Sequence, residues 1–384
     1  MMKVTLRWVI LLSLLFVCLT CGRKTENASI ETRDGVKFIH NEYPLWKDNP
    51  EVSLEFVQKI GDLENPDENY LLYRPSDMIR DTHGNIYILE AGNHRIQKFD
   101  PEGNYLRTIG RQGQGPGELD NPYSMNLYKN SEIFVCDLGN MRIQVFSTEG
   151  ELLRSLRMDV GAGKRFTAFR LLDSGEYLTR PAPFMYPNEN LEDVHLLSVL
   201  NSECSFERGI GTGQIDDFGD FALTVFMSVF LYEKDSRDNI YFVYGFQNRI
   251  EKYSPDGTLL FRADRPLDIK PNTRPRNAEK VVLTASAVAV DDKDRVWIST
   301  AISTPKTGVD NIPEEAGTQY LELEIFNSGG ILLGKIPQPA LGDILPFSPL
   351  ATPAMGNMRI YGDRIYFIDM SKEMCVYEYK IIEH

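Results

Sequence analysis

Five short runs along the chain are apolar on every position, where a half-buried strand would alternate, and a sixth matches them less fully. They cover residues 86–89, 133–136, 176–179, 240–243, 296–298 and 365–368, the third of them less apolar than the others, and a polar turn precedes each. Four or five consecutive apolar residues between turn signals predict a strand covered on both faces. A second series of turns, at 100–103, 147–150, 201–204, 254–257 and 327–330, predicts a hairpin after the third strand of each of five units.

The spacing is that of a repeat. RPSDMIRDTHGNIYILEAGNHRIQKFDPEGNYLRTIG and NPYSMNLYKNSEIFVCDLGNMRIQVFSTEGELLRSL align with a constant offset of 47, so that NHRIQ at 93–97 matches NMRIQ at 140–144. Self-similarity at this period means stacked supersecondary units, here four strands each. The Gly-Asn-x-Arg-Ile-Gln-x-Phe core, with the GRQGQGPGEL that follows at 110–119, resembles the NHL repeat. That resemblance implies an all-β fold, a six-bladed β-propeller of four-stranded antiparallel blades.

The sixth unit runs out of chain after its third strand, at 374–382. Residues 54–61, LEFVQKIG, read like the fourth strand LRTIG at 106–110. The N-terminal strand is therefore expected to complete the C-terminal blade and close the ring, removing two open sheet edges. The propeller is expected over 53–384. Long connections at 181–193, 209–221, 262–280, 303–318 and 337–358 show no useful helical period, and such loops are usually functional.

Lys3 and Arg7 precede an apolar run over 8–19, too short to span a bilayer, which predicts a signal peptide over 1–20. The residues around Cys21 resemble the lipidation site of bacterial lipoproteins, although Cys18 and Thr20 depart from that pattern. Residues 21–52, polar with scattered prolines, are expected to be a tether. The implied location is the cell envelope, on the periplasmic side or at the cell surface, held by the lipid alone.

Net charge sharpens this picture. The chain carries −14, and loss of residues 1–20 leaves −16, which disfavours nucleic acid. Cys136, Cys204 and Cys375 lack metal-ligand or disulfide spacing and are expected to be buried hydrophobes.

Candidate chemistry is sparse. Arg95, Arg142 and Arg249 recur nine residues after residues 86, 133 and 240. They could form a cationic ring for a ligand, or each could lock its turn by pairing with a carboxylate such as Glu90 or Asp137. Glycines 110, 113, 115 and 117 lack the Lys-Ser/Thr and helix of a phosphate loop. His94 is the histidine best placed at an end face. Phe184, Tyr186, Phe218 and Phe221 lie on the long connections and are expected to line a binding surface. No metal ligand set and no catalytic set is evident. The NHL resemblance also implies an alternative, a zinc- or calcium-dependent hydrolase or lyase with its site in the central channel. The reading that follows is a monomeric binding module for a protein, peptide or glycan partner, with no cofactor.

Overall fold

The computed structural model describes residues 23–47, 49–157, 165–182, 190–267, 284–301, 321–337, 358–370 and 373–384. Six antiparallel sheets follow one another around an axis, and each contains one of the six expected strands: Ile86–Glu90, Glu132–Asp137, Tyr177–Ala182, Ile240–Tyr244, Val296–Ala301 and Arg364–Asp369. Their lack of alternation has a simple cause. In blade one, Ile86 and Ile88 pack on Tyr366 and Ile368 of blade six, whereas Tyr87 and Leu89 pack on Ile133 and Val135 of blade two. Both faces of the strand are interior, so both parities must be apolar.

The first strand of each blade is innermost: Pro75–Arg80, Pro122–Tyr128, Arg165–Leu171, Phe230–Lys234, Ala287–Val290 and Met358–Tyr361. These six stand around the axis and surround a central channel. The ring closes as expected. Val52–Ile60 pairs antiparallel with Cys375–Glu383, from Val376↔Ile60 to Glu383↔Val52, and His384 N donates to Glu51 O at 2.8 Å.

The tether reading does not hold for the described part of 21–52. Ala28–Arg33 and Val36–Asn41 form a hairpin, and Val36–Asn41 adds in parallel to the outer strand of blade four, Leu259–Asp264. With Arg23–Lys24 pairing outside them, the blade-four sheet has seven strands. The hairpin turn is Asp34-Gly35, both with positive φ (50° and 83°), as a two-residue type I′ turn requires. Fully buried Ala28 and Ile39 join Phe261 and Leu332 in one cluster. Asn27 and Asn41 are buried because their amides are used: Asn27 Nδ2 donates to Leu332 O, and Asn41 Nδ2 donates to Gly330 O while its Oδ1 accepts from Leu332 N. Trp46 then lies flat on Gly334, leaving no room for a Cβ there.

The connection between blades three and four contains a short helix, Phe221–Met227, where no helical period was expected. Asp220 starts it by accepting from Leu223 N at 2.8 Å. Among the described residues no helix is long and apolar enough to cross a membrane.

Candidate functional site

A first strand at the inner edge of a blade has backbone groups with no neighbouring strand to pair with. Side chains supply the partners, and they come from one level of the channel. Ile79, Asn126, Arg170, Glu233, Ala289 and Arg359 occupy the same rung of their blades, opposite Tyr87, Phe134, Leu178, Tyr241, Trp297 and Tyr366. Asn126 bridges to blade three, donating to Phe169 O at 3.1 Å and accepting from Leu171 N at 3.2 Å. Asp77, just above this level, accepts from Met125 N of blade two at 3.0 Å.

Two ion pairs span two more gaps, between blades six and one and between blades three and four. Arg359 of blade six donates through Nε and Nη2 to Asp77 of blade one, at 3.0 and 2.7 Å. Arg170 of blade three donates through Nε to both Glu233 oxygens of blade four, at 2.9 and 3.2 Å. Asp77, Arg170 and Arg359 are buried. Burial alone would raise the Glu233 carboxyl, but the Arg170 and Arg359 charges hold it below the usual glutamate range. Glu233 is therefore held as a carboxylate opposite Arg170.

Beyond this level, towards the end where the first strands finish, the channel widens into a cavity of about 670 Å³ lined by all six blades. Its rim is built from the turns between first and second strands, clasped blade to blade. Thr82 N donates to Asn130 Oδ1, Asp173 N to Asp238 Oδ2 and Ser236 N to Asp294 Oδ1, at 2.8, 2.8 and 2.9 Å. Asn130, Asp238 and Asp294 all have φ between 55° and 59°, a conformation that Asn and Asp tolerate best among residues with a Cβ. Lys234 on the rim is held between Asp173 and Asp238 at 2.8 and 2.6 Å. Lys129 is exposed, its ammonium 4.8 Å from the Tyr128 ring centroid.

The residues singled out from sequence lie elsewhere. Arg95 and Arg142 start third strands and Arg249 immediately precedes one, at the opposite end of the channel, and each locks a turn. Arg95 Nε pairs with Glu90 at 2.6 Å, and Arg142 Nε pairs with Asp137 at 2.7 Å while its Nη2 binds the carbonyls of Gly115 and Glu118. Arg249 pairs with Asp216 and donates to Gln214 O and the Tyr244 hydroxyl. They form no open cationic ring. His94 Nδ1 accepts from Asn121 N at 2.8 Å and so joins blade one to blade two. Phe218 is half-buried beside the short helix and Phe221 is 41% exposed at its start. Phe184, Tyr186 and Cys21 lie outside the described residues. The described strand ends that flank residues 158–164, 183–189, 268–283, 302–320 and 338–357 all belong to that same opposite end.

Sequence reasoning missed the channel ring. Its signal was a position: seven residues before Ile86, Ile133, Tyr177, Ile240 and Val296 in five blades, and six before Ile365 in blade six, where the turn is a residue shorter. A charge or amide in an otherwise apolar strand, recurring at that slot, marks an inward-facing site.

The zinc or calcium alternative fits these residues poorly. Among the described residues no three His, Cys, Asp or Glu side chains come together to hold a metal. His40 and His94 face Asp264 and Asn121, while His195 and His384 face Ser198 and Ser53.

Six four-stranded sheets stacked around a channel, with the last closed by an N-terminal strand, define a six-bladed β-propeller. The chain belongs to the DUF5128 family of 6-bladed β-propellers, whose profile matches residues 60–259. No curated protein matches it. Among solved structures it is similar to a Bacteroides fragilis protein, at 13% identity and TM-score 0.56 over 90% of this chain and 99% of that one. A DUF4221 family member from Bacteroides vulgatus gives 12% identity and TM-score 0.55, over 87% and 99%. Virginiamycin B lyase of Staphylococcus aureus gives 12% identity and TM-score 0.44, over 94% of each chain, too loose a likeness to bear on activity.

Proposed function

We propose that this protein is an exported NHL-type propeller, anchored by a lipid on Cys21, that acts as a binding module and takes part of a protein, peptide or glycan partner into the axial cavity. The observation that carries this reading is a cavity shared by all six blades and floored by charges that are already paired. At about 670 Å³ it falls within the ~300–1,000 Å³ typical of ligand pockets. Binding needs donors and acceptors held in fixed places, which the clasped rim and the Asp77–Arg359 and Arg170–Glu233 pairs supply. Acid–base catalysis needs a group free to gain or lose a proton near neutrality. Of the two acids on the lining, Glu233 is instead held by Arg170 below the usual glutamate range, and Asp173 lies at the exposed rim beside Lys234.

The test uses the soluble chain from Arg23, which keeps the strands added to blade four, together with Lys129→Trp, which adds bulk at the exposed rim of the cavity. A partner should bind saturably to the first and at least tenfold more weakly to the second, with both melting alike. Equal binding by both would place the partner elsewhere. Turnover of a lactone or peptidyl substrate that a chelator abolishes would replace this reading with the enzymatic one. Separately, Cys21→Ser should release the protein from the membrane fraction.

A further inference from the structure

We propose that the outer rim of blade four, covered by residues 23–47, is the surface that faces the lipid bilayer, so that the propeller axis lies along the membrane and both channel ends open sideways. This rests on the lipid-anchor reading of Cys21 and deepens it.

The first argument is the absence of slack between Cys21 and the fold. A free tether of 32 residues would have an end-to-end distance of about 30 Å and would leave orientation unspecified. The structure instead begins its ladder at Arg23, which pairs with Ile30, and Lys24 with Ser29. One residue, Gly22, separates Cys21 from that strand, and the two steps reach roughly 7 Å. The strands behind it are held by the parallel ladder from Lys37↔Phe261 to His40↔Asp264, by buried Ala28 and Ile39, and by the Asn27 and Asn41 amides.

The second argument is position. Arg23–Lys24 is the outermost strand of the seven-stranded sheet, farthest from the axis. Through Ile39, Ile30 is level with Ala263, next to the last residue of the blade's outer strand, so the chain enters on the outer edge, nearer the end opposite the cavity.

Charge is the third. Residues 23–47 carry five basic and four acidic side chains, a net +1, whereas residues 48–384 carry −17. Anionic headgroups would repel the body of the propeller, and this rim is where that repulsion is relieved.

The experiment uses the full chain, lipidated in a bacterial host and reconstituted into phosphatidylcholine vesicles containing phosphatidylglycerol and a headgroup-quencher lipid. One fluorophore is placed by Arg33→Cys on the rim, by Leu106→Cys on the opposite rim in blade one, by Lys129→Cys at the cavity end or by Phe221→Cys at the other end. All four positions are exposed, and the native Cys136, Cys204 and Cys375 are buried. Quenching should be at least threefold stronger at position 33 than at 106, with 129 and 221 between them. Ile39→Asp, which frees the rim strands, should keep the protein on vesicles and erase the contrast. Strongest quenching at 106, 129 or 221, equal quenching at all four, or a contrast that survives Ile39→Asp would overturn the orientation. Failure of the unaltered protein to bind vesicles, or binding that persists in Cys21→Ser, would overturn the anchor itself, and the orientation with it.

Discussion

Asp77 and Arg359 meet across 282 residues of sequence, the arginine placing both Nε and Nη2 on the same carboxylate oxygen, Oδ1. The pair joins blade six to blade one on the axis, and the ladder between 52–60 and 375–383 closes blade six at the circumference. The ring is therefore closed twice, inside by charge and outside by backbone hydrogen bonds.

Removing one partner of such a pair strands the other charge in the interior. Arg359→Met should cost about 3–5 kcal/mol in urea unfolding, and Arg359→Met combined with Asp77→Asn should recover part of it. A single-variant loss below about 1 kcal/mol would mean that the channel is wet enough to solvate Asp77 alone.

The two N-terminal segments should differ in what their loss does. Deleting residues through 47 leaves six four-stranded blades and should give a folded monomer of lower melting temperature. Deleting through 61 removes Val52 and Ile60, both buried, and opens the last blade. That chain should lose its cooperative thermal transition and aggregate, as size-exclusion chromatography and circular dichroism would record.

Gly334→Ala should unseat Trp46. An added Cβ would fall 1.9 Å from Trp46 Cε3, which the ring cannot escape without leaving its place. A loss of about 1–3 kcal/mol is expected from such overpacking. Trp297 is fully buried two strands in from Gly334, in the cluster on which Trp46 packs, so the red shift is measured in the chain from Arg23 carrying Trp297→Phe, where tryptophan emission reports Trp46.

Acid should unfold the ring from its ion pairs. Lys59 holds the Glu373 carboxyl below its usual value, Arg295 does so for Glu383, and Lys98 for Glu149. Burial works against this at Glu233, yet Arg170 and Arg359 prevail. Because the folded values are depressed, the stability they add is complete above the ordinary glutamate value of 4.5 and is lost as pH falls through the lower folded values. Melting temperature should be flat from pH 7 to about 5 and fall steeply below about 4.5. Glu233→Gln should start lower and fall less.

The three cysteines of the folded part should be silent to thiol reagents at pH 8. Burial pushes Cys204 up to about 11 and Cys375 up to about 12, and raises Cys136 further. Three thiols should appear only in denaturant.

Much of the fold was legible because the strongest signal in a stacked-sheet ring is the strand with two dry faces. Residues 86–89 and 240–243 could be read for that reason, and 54–61 could be assigned to the last blade because it repeats the fourth-strand pattern. The hairpin at 28–41 was not read as structure. Its strands, ASIETR and VKFIHN, are short and half polar, and only Asp34-Gly35 announced the turn. Side-chain amides, not an apolar face, do much of the holding there. The channel ring was hidden for a different reason. Asn126, Arg170, Glu233 and Arg359 are four positions of three chemical kinds, one per blade, and no local motif contains two of them. Arg95, Arg142 and Arg249 stood out because they are alike, and likeness at equivalent positions reflects a turn that every blade must build.

The parallel strand at 36–41 also fixes how the molecule would carry force. A pull on the N-terminus is borne first by the ladder against residues 261–264 and by Trp46 over Gly334, before any tension reaches the strand at 52–60. Those outer strands can peel away under load while the ring stays whole, so they act as a mechanical fuse ahead of the closure.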